Sequence, residues 1–342
     1  MDSLTHIAVG ATIAEAVLGP KVGNRAAMWG AIGATIPDLD VFLPMGGAVE
    51  AFTYHRGFSH SLIFLTALTP ALVWAIIKIH PGTAEHWRGW MLAVFIVLLT
   101  HPLQDAFTVY GTQILWPLEM PPVSWSTIFI IDPAYSLPVF VGIFCALFMS
   151  RQRQTGHRMA LVGLGLSTAY LAWSVTAKAM IDTRLEATLE ARGLAGNKVH
   201  TTPTPFNTVL WRVLVMDGDR YHEGYVSLLD PAGTEVAFTA YPTNPALLEG
   251  IKDTWPVQRL KWFTQGFYSV RAGSPEIVMT DLRMGIEGSY IFAFLVGRLE
   301  DGIAVPVSNE AIIGAVDISL LDIAWRRIWD PAVSVVPGGD SK

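Results

Sequence analysis

Apolar residues in the first half of the chain fall into long blocks separated by short polar stretches. Four blocks are strongly apolar, and each is close to the ~20 residues that an α-helix needs to cross a ~30 Å hydrocarbon core. Two weaker blocks near the N-terminus are rich in glycine and alanine, which let helices pack closely in lipid. The pattern predicts a transmembrane bundle of about six helices, at 4–19, 26–44, 61–79, 90–107, 134–150 and 159–181.

Short runs of alternating apolar and polar residues replace these blocks between residues 206 and 307. Turn signals such as Asp217-Gly218 separate the runs, and two segments at 245–253 and 256–264 fit helices. We therefore expect a soluble C-terminal α+β domain with a mainly antiparallel sheet. A last segment, 319–330, has the pattern of an amphipathic helix, which could lie on the membrane surface or on the domain.

Composition changes between the two halves. The chain of 342 residues is 51% hydrophobic and 15% charged, whereas a soluble domain carries about a quarter charged residues. Charges are sparse from Leu62 to Met180 and return to an ordinary frequency from Asp182 onward. This change predicts a membrane bundle over residues 1–182 and an extracytoplasmic domain over residues 183–342.

Net charge and cysteine content narrow the classes of partner. The 23 basic and 29 acidic residues give a formal charge of −6 without a basic run, so a nucleic-acid partner is not expected. Cys145 is the single cysteine, which excludes an intrachain disulfide. The N-terminus lacks the positive region and cleavage site of a signal peptide, so we expect it to be retained.

Basic residues in the short loops predict the orientation of the bundle. The loop at 151–158 carries three arginines, and short basic loops favour the cytoplasmic side. With six helices, the basic turns at 20–25 and 80–89 fall on that side too. The N-terminus, the remaining loops and the C-terminal domain would then face the periplasm, in a multi-pass protein of a bacterial inner membrane.

Eight ionisable residues fall near the outer ends of four predicted segments, and charged groups at membrane depth are costly and mark function. Asp2/His6 and His101/Asp105 have i, i+4 spacing, which places both side chains of a pair on one helix face. Mixed imidazole and carboxylate ligands suit Zn²⁺, Mn²⁺ or Fe²⁺, and the number of carboxylates permits one or two ions. The candidate ligands are Asp2, His6, Asp38, Asp40, His55, His60, His101 and Asp105.

Each of these residues also has an ordinary structural explanation. Asp2 fits an N-cap, because aspartate is a favoured capping residue. The "PDLD" stretch fits a capped turn, and His55 and His60 fit a polar loop. Their occurrence on one face favours a metal site, since independent caps would not need to converge there.

Five motifs occur in order in the first half: "MDSLTHIAVGA", "GAIGATIPDLD", "HRGFSHSL", "THPLQDAFTVYGTQILWP" and "FIIDPAYSLP". Over roughly residues 1–180 they resemble the YdjM-like family of inner-membrane proteins, which are described as metal-dependent hydrolases. The ligand pattern is also similar to that of zinc-dependent phospholipase C-like enzymes. By matching motif, the resemblance implies the same eight ligands and adds Asp132 as a further candidate.

Together, pattern and resemblance lead to an expected function. A divalent ion, preferably Zn²⁺, would activate water for hydrolysis of a phosphoester in a membrane lipid or a lipid-linked substrate. Arg56 would hold phosphate oxygens through its bidentate guanidinium, and Asp40 or Asp132 would act as general base. The alternative is a non-enzymatic membrane scaffold or transport component that binds a structural metal. The C-terminal domain would cover the metal face, restrict access or bind a partner.

Overall fold

The computed structural model describes residues 1–149, 154–273, 275–312, 314 and 317–335. Within these ranges the chain divides into two compact units: Met1–Leu43 with His55–Ser174, and Pro44–Tyr54 with Val175–Lys342. Residues 151–153, which carry two of the three arginines of the predicted cytoplasmic loop, lie outside the described residues.

The first unit is helical. The α-helices described along the whole chain are α1 (Ser3–Val22), α2 (Arg25–Thr35), α3 (Ala48–Tyr54), α4 (Leu62–Ile79), α5 (Trp87–Ala106), α6 (Pro133–Phe148), α7 (Thr155–Ala191), α8 (Trp255–Phe263) and α9 (Ser319–Trp329). The first unit contains α1 and α2, the α4–α5 hairpin, α6 and the first part of α7, with short 3₁₀ turns between them.

Close packing of α1 against α2 explains the small residues of the first two segments. A Cβ placed on Gly10 would lie 2.5 Å from the carbonyl oxygen of Gly30 and 2.5 Å from Cβ of Ala34. No real Cβ tolerates such a contact, so the two backbones approach this closely only because position 10 is glycine. The expectation that these helices pack inside the bundle agrees with the buried alanines along both.

The helices confirm the membrane class but include fewer candidate spans than the six predicted. Within the described ranges, Leu62–Ile79, Pro81–Ala106 and Thr155–Ala191 are long and apolar enough to cross a membrane, and Pro133–Phe148 is apolar but shorter. The second predicted helix, at 26–44, extends beyond the observed α2. This helix ends at Thr35, and Pro37–Phe42 forms a 3₁₀ turn. Pro37 has no backbone N–H with which to continue the α-helical hydrogen bonds.

The second unit is an α+β domain with antiparallel sheets, as expected. The described strands are β1 (Lys198–Pro203), β2 (Leu210–Asp217), β3 (Arg220–Ser227), β4 (Phe238–Pro242), β5 (Tyr268–Gly273), β6 (Glu276–Asp281), β7 (Gly285–Ile286), β8 (Ser289–Tyr290), β9 (Ala293–Glu300) and β10 (Ile303–Ile312). One four-stranded sheet has the order β1-β2-β3-β4, another has the order β10-β9-β6-β5, and β7 pairs with β8. All described strand pairs are antiparallel.

Boundaries in and around this unit differ from the predicted ones. The predicted helix at 245–253 is limited to a 3₁₀ turn at Pro245–Leu248, whereas α8 and α9 occupy their predicted positions. The predicted domain boundary after residue 182 falls inside α7, which continues to Ala191. The distant segment Pro44–Tyr54 also belongs to this unit.

Aromatic packing explains why Pro44–Tyr54 joins the second unit. The ring of Phe52 on α3 lies 4.7 Å from that of Phe263, 4.6 Å from that of Phe292 and 5.0 Å from that of Phe294. Arg259 donates to the hydroxyl of Thr53 over 3.0 Å. Local sequence patterns do not reveal such long-range contacts, so the sequence alone predicts only a loop at Pro44–Tyr54.

Candidate metal centre

Four side chains of the first unit converge at one point. One ligand atom from each lies within 4.8 Å of the ligand atoms of the others. His60, His101 and Asp105 are buried, while the side chain of Asp38 keeps 22% of its surface exposed. The group consists of Asp38, His60, His101 and Asp105.

Three neighbouring elements supply these ligands. Asp38 lies on the 3₁₀ turn that follows α2, where Pro37 occupies the first position. His60 ends the short turn just before α4. His101 and Asp105 lie near the end of α5, and their i, i+4 spacing places both on one face. The start of α4 and the end of α5 therefore hold the ligands at the same end of this helix pair.

Hydrogen bonding determines which nitrogen of His101 faces the group. Its Nδ1 lies 2.7 Å from the carbonyl oxygen of Ala34. A carbonyl only accepts hydrogen bonds, so Nδ1 carries the proton. In the neutral imidazole the Nε2 atom then presents a lone pair to the group, which is the state of a metal ligand.

His60 is oriented in the same way through a serine. Its Nδ1 lies 2.9 Å from Oγ of Ser59, and this hydroxyl donates to Oδ2 of Asp40 over 2.6 Å. Because the hydroxyl proton is directed to Asp40, its oxygen accepts from Nδ1–H of His60. The Nε2 atom of His60 therefore also presents a lone pair to the group.

Five of the six distances between the four ligand atoms match the edges of a tetrahedral shell. The two Nε2 atoms are 3.2 Å apart. Asp105 Oδ2 lies 3.2 Å from Nε2 of His60 and 3.4 Å from Nε2 of His101. Asp38 Oδ1 lies 3.5 Å and 3.3 Å from the same two nitrogens. Ligands about 2.0–2.1 Å from a central Zn²⁺ form a tetrahedron with edges of roughly 3.3–3.4 Å. These five edges therefore fit one ion of this size.

The two oxygens of Asp105 have different surroundings. Oδ1 accepts from Nη2 of Arg56 at 3.0 Å and from the amino group of Met1, and lies 3.2 Å from Nε2 of His6. Oδ2 is buried and, within the described part of the chain, no hydrogen bond ends on it. A buried oxygen without a hydrogen bond is costly, and a cation at the centre of the group would satisfy it.

Asp38 and Asp40 are held in their ionised forms. Burial would raise the pKa of Asp38, but the neighbouring imidazoles of His101 and His60 outweigh this effect and lower the pKa below its usual range. For Asp40, burial is again outweighed, by hydrogen bonds from His55 and Ser59, so its pKa is also lowered. Both carboxylates are therefore charged at neutral pH, as ligation or ligand orientation requires.

Three further predicted residues surround the four ligands without joining the group. The imidazole of His6 stacks on that of His101, with ring centroids 3.7 Å apart. Asp40 accepts from Nδ1 of His55 at 2.9 Å, from the backbone N–H of Arg56 at 3.1 Å and from Ser59, which makes it an orienting residue for His60. The structure therefore places His6, Asp40 and His55 around the candidate ion.

Arg56 has an unusual backbone at this site. Its φ is 60°, which is uncommon for a residue with a Cβ and is found at functional positions. The buried guanidinium pairs with Asp105 and donates to the hydroxyl of Thr108 over 3.2 Å. It also lies 5.0 Å from the ring centre of Tyr110. Arg56 is thus directed toward the group and pairs with one of its members, while phosphate binding by Arg56 stays a prediction.

Asp2 and Asp132 serve as helix caps. Asp2 accepts hydrogen bonds from the backbone N–H of Thr5 at 3.0 Å and from the Thr5 hydroxyl at 2.6 Å. It is therefore the N-cap of α1, which was its structural alternative to metal binding. Asp132 accepts from the N–H of Ala134 at 3.0 Å and from the hydroxyl of Tyr170 at 2.8 Å. Neither aspartate belongs to the four-residue group.

Sequence reasoning missed the residues that orient the ligands. Ser59 carries the hydrogen bond between His60 and Asp40, and its position beside a candidate ligand in "HRGFSH" was the available signal. Gln104 lies 3.2 Å from Nδ1 of His6 and donates to Tyr135. The backbone carbonyl of Ala34 orients His101. Since every residue has a backbone carbonyl, no sequence pattern could indicate this contact.

Comparison with known proteins places the chain in a family. The sequence model described as "YdjM inner membrane protein" matches residues 1–181, more than half of the chain, including all four ligands. The chain belongs to the YdjM inner membrane protein family. The expected family and membrane localisation are therefore confirmed.

Two relatives of this YdjM family member show how far the similarity extends. YfhP of Bacillus subtilis (strain 168) is 31% identical over 143 residues, which cover 39% of this chain and 42% of YfhP. The inner membrane protein YbcI of Escherichia coli (strain K12) is 33% identical over 117 residues, which cover 33% of this chain and 66% of YbcI. The chain thus matches less than two thirds of either relative. No solved structure matches the chain.

Proposed function

We propose that this protein is a metal-dependent hydrolase of the inner membrane. The observation that carries the proposal is the donor set, in which two imidazole lone pairs and two carboxylate oxygens lie at the distances of a tetrahedral shell. Mixed nitrogen and oxygen ligands of this kind favour Zn²⁺, with Mn²⁺ or Fe²⁺ as competitors. Four ligands account for one ion.

Hydrolysis of a phosphoester is the reaction that an ion held by these four residues would best support. When bound, the ion would polarise a phosphoryl oxygen and lower the pKa of a coordinated water. Asp38 is partly exposed, so water and substrate have access from its side. Arg56 would bind phosphate oxygens, and the His55–Asp40 pair would accept the proton of the attacking water. Asp132, which caps α6, has no part in this proposal.

A lipid or lipid-linked phosphoester is the proposed substrate. His60 lies two residues before the start of α4, and Asp105 lies one residue before the end of α5. Since both helices are candidate spans, the site lies near a membrane–water interface, where phosphate headgroups are located. The basic loops of the sequence favour the periplasmic side for this interface and for the C-terminal domain.

A structural metal in a non-enzymatic scaffold or transport component is the second candidate. Four protein ligands complete a tetrahedral shell, and structural zinc sites are closed in this way, whereas catalytic sites keep a position for water. In a hydrolase, Asp38, the most exposed ligand, would have to give up its position to water or substrate. In a scaffold it would stay in place.

Metal analysis combined with a hydrolysis screen tests both proposals. Purified wild type is expected to contain one equivalent of metal, and His60→Ala to lose it, whereas His222→Ala in the second unit should retain it. Phospholipids and generic phosphoesters would then be screened with all three proteins. Metal-dependent turnover lost in His60→Ala supports the hydrolase, metal without any turnover favours the scaffold, and a wild type without metal contradicts both.

A further inference from the structure

Helix α9 is held on the second unit by one of its faces. Arg327 donates from Nη1 and Nη2 to the two carboxylate oxygens of Asp230, over 2.8 Å in both cases, and both side chains are buried. Oγ of Ser227 donates to the carbonyl oxygen of Ile328 over 2.9 Å. Leu320 and Ile328 are buried as well. Because a bidentate arginine–carboxylate pair fixes direction as well as distance, α9 cannot turn about its axis while this pair is in place.

The opposite face of α9 is apolar and exposed. It consists of Ile318, directly before the helix, with Leu321, Trp325 and Trp329. Spacings of three or four residues place these side chains in one row along the helix. Trp325 and Trp329 are 60% and 66% exposed, and their ring centres are 6.4 Å apart. A row of large apolar side chains on a surface marks a contact with lipid or protein, and we call this row the apolar face of α9.

The charged residues of α7 indicate where this helix leaves the bilayer. Helix α7 is a candidate membrane span, and residues 159–177 contain no charged side chain. At 1.5 Å per residue this stretch covers about 28 Å, close to the ~30 Å of a hydrocarbon core. Lys178 is the first charged residue beyond it, and its Nζ donates to the carbonyl oxygen of Thr201 over 2.8 Å. The hydrocarbon core therefore ends close to Lys178.

Two hydrogen-bonded links attach α9 to α7 just beyond this level. Arg184 follows Lys178 by six residues, which is about 9 Å along α7. Its Nη1 donates to the carbonyl oxygens of Ser227 and Leu228 over 3.0 Å and 3.2 Å. Ser227 in turn donates to the carbonyl oxygen of Ile328 on α9. Headgroups add roughly 5–8 Å on each side of the hydrocarbon core, so α9 is attached next to the headgroup layer.

We propose that the apolar face of α9 lies in the headgroup region of the lipid bilayer, so that α9 contacts the second unit with one face and lipid with the other. Tryptophan is enriched at membrane interfaces, and interfacial helices bury their apolar face about 5–10 Å into this boundary. Beside the face, Asp322 pairs with Arg326 over 3.2 Å, so attraction to anionic headgroups is not required. Lipid is the occupant rather than a second copy of the chain, because α7 keeps this face beside the bilayer. The inference is independent of the proposed hydrolase.

Fluorescence quenching in nanodiscs tests the proposal. The single cysteine is first replaced by Cys145→Ser, and the dye NBD is then attached through Trp325→Cys or Trp329→Cys. Glu249→Cys, at an exposed position of the same unit, is the control. Each full-length protein is placed as one copy per phosphatidylcholine disc, with or without a lipid that carries a nitroxide just below its headgroup. The lipid nitroxide should quench positions 325 and 329 at least two-fold more strongly than position 249, and dissolved iodide should quench in the reverse order.

A second pair of variants separates lipid contact from a general effect of mutation. In the Trp325→Cys protein, Trp329→Glu should lower quenching by the lipid nitroxide at least two-fold, because a carboxylate is costly to move out of water. Ile303→Glu, at an equally exposed apolar position on β10, should leave the quenching unchanged. Equal lipid quenching at positions 325, 329 and 249 would overturn the proposal. Protection of positions 325 and 329 from iodide without lipid quenching would also overturn it, since protein would then cover the face.

Discussion

The Nε2 atoms of His60 and His101 face each other across 3.2 Å, and the other nitrogen of each ring is directed to a hydrogen-bond acceptor. Two lone pairs at this distance repel each other unless a cation lies between them. The carboxylates of Asp38 and Asp105 add negative charge at the same point. A cation at this point would relieve the repulsion, which supports the proposed metal site.

Removing the hydroxyl of Ser59 should weaken metal binding. Ser59→Ala breaks the link that keeps the proton on Nδ1 of His60, and loss of such an orienting partner lowers metal affinity about 10–100-fold. Competition with a fluorescent zinc chelator measures the change. Ser174→Ala, which removes another buried hydroxyl of the first unit, should bind metal as the wild type does. Equal affinity in both variants would show that Ser59 does not orient the ligand.

The two carboxylate ligands should differ in their contribution to stability. Asp105→Asn leaves the buried guanidinium of Arg56 without its charged partner, and breaking a buried pair costs about 3–5 kcal/mol. Asp38→Asn should lose metal as well but destabilise the metal-free protein much less, because Asp38 is partly exposed. Thermal unfolding in detergent with excess chelator isolates this difference. Similar unfolding temperatures for both metal-free variants would contradict it.

Enlarging Gly10 should separate α1 from α2. Gly10→Ala places a Cβ 2.5 Å from the carbonyl oxygen of Gly30, and such overpacking typically costs about 1–3 kcal/mol. Gly165→Ala meets open space on α7 and is expected to leave the stability unchanged or slightly higher. Unfolding of both variants in the same detergent provides the comparison. An unchanged Gly10→Ala protein would mean that the helices are further apart than described.

Stability of the second unit should fall as the solution becomes acidic. Burial, together with the positive charges of Lys178, Arg283 and Arg212, lowers the pKa of His200 well below its usual 6.5. The folded protein thus keeps His200 neutral while the unfolded chain takes up a proton below pH 6.5, so stability is lost as pH falls through this value, by at most about 1.4 kcal/mol per pH unit.

Replacing His200 measures this effect directly. His200→Gln removes the titrating group, so its unfolding temperature should fall less between pH 7.5 and pH 5.5 than that of the wild type. The comparison uses the slope with pH, which remains meaningful even if the substitution lowers stability at every pH. Parallel slopes for the two proteins would rule out His200 as the source of acid sensitivity.

Local pattern was sufficient for most elements of this protein and for a set of candidate ligands that includes the four-residue group. Apolar blocks predicted α4, α5 and α6, and alternating runs predicted the antiparallel domain, because both depend on spacing along the chain. Ionisable residues beside apolar helices indicated a metal site, since such residues are costly there without a function. All four members of the group, Asp38, His60, His101 and Asp105, were among the eight candidates.

Only the tertiary structure decided which candidates form the four-residue group and what the others do. Asp2 had the same i, i+4 spacing to His6 as His101 has to Asp105, yet it caps α1, because the partner of each side chain depends on which distant elements pack beside it. The tautomers of His60 and His101 depend on Ser59 and on the carbonyl of Ala34, brought there by folding. Spacing along a helix determines which residues share a face, and packing between elements determines what that face meets.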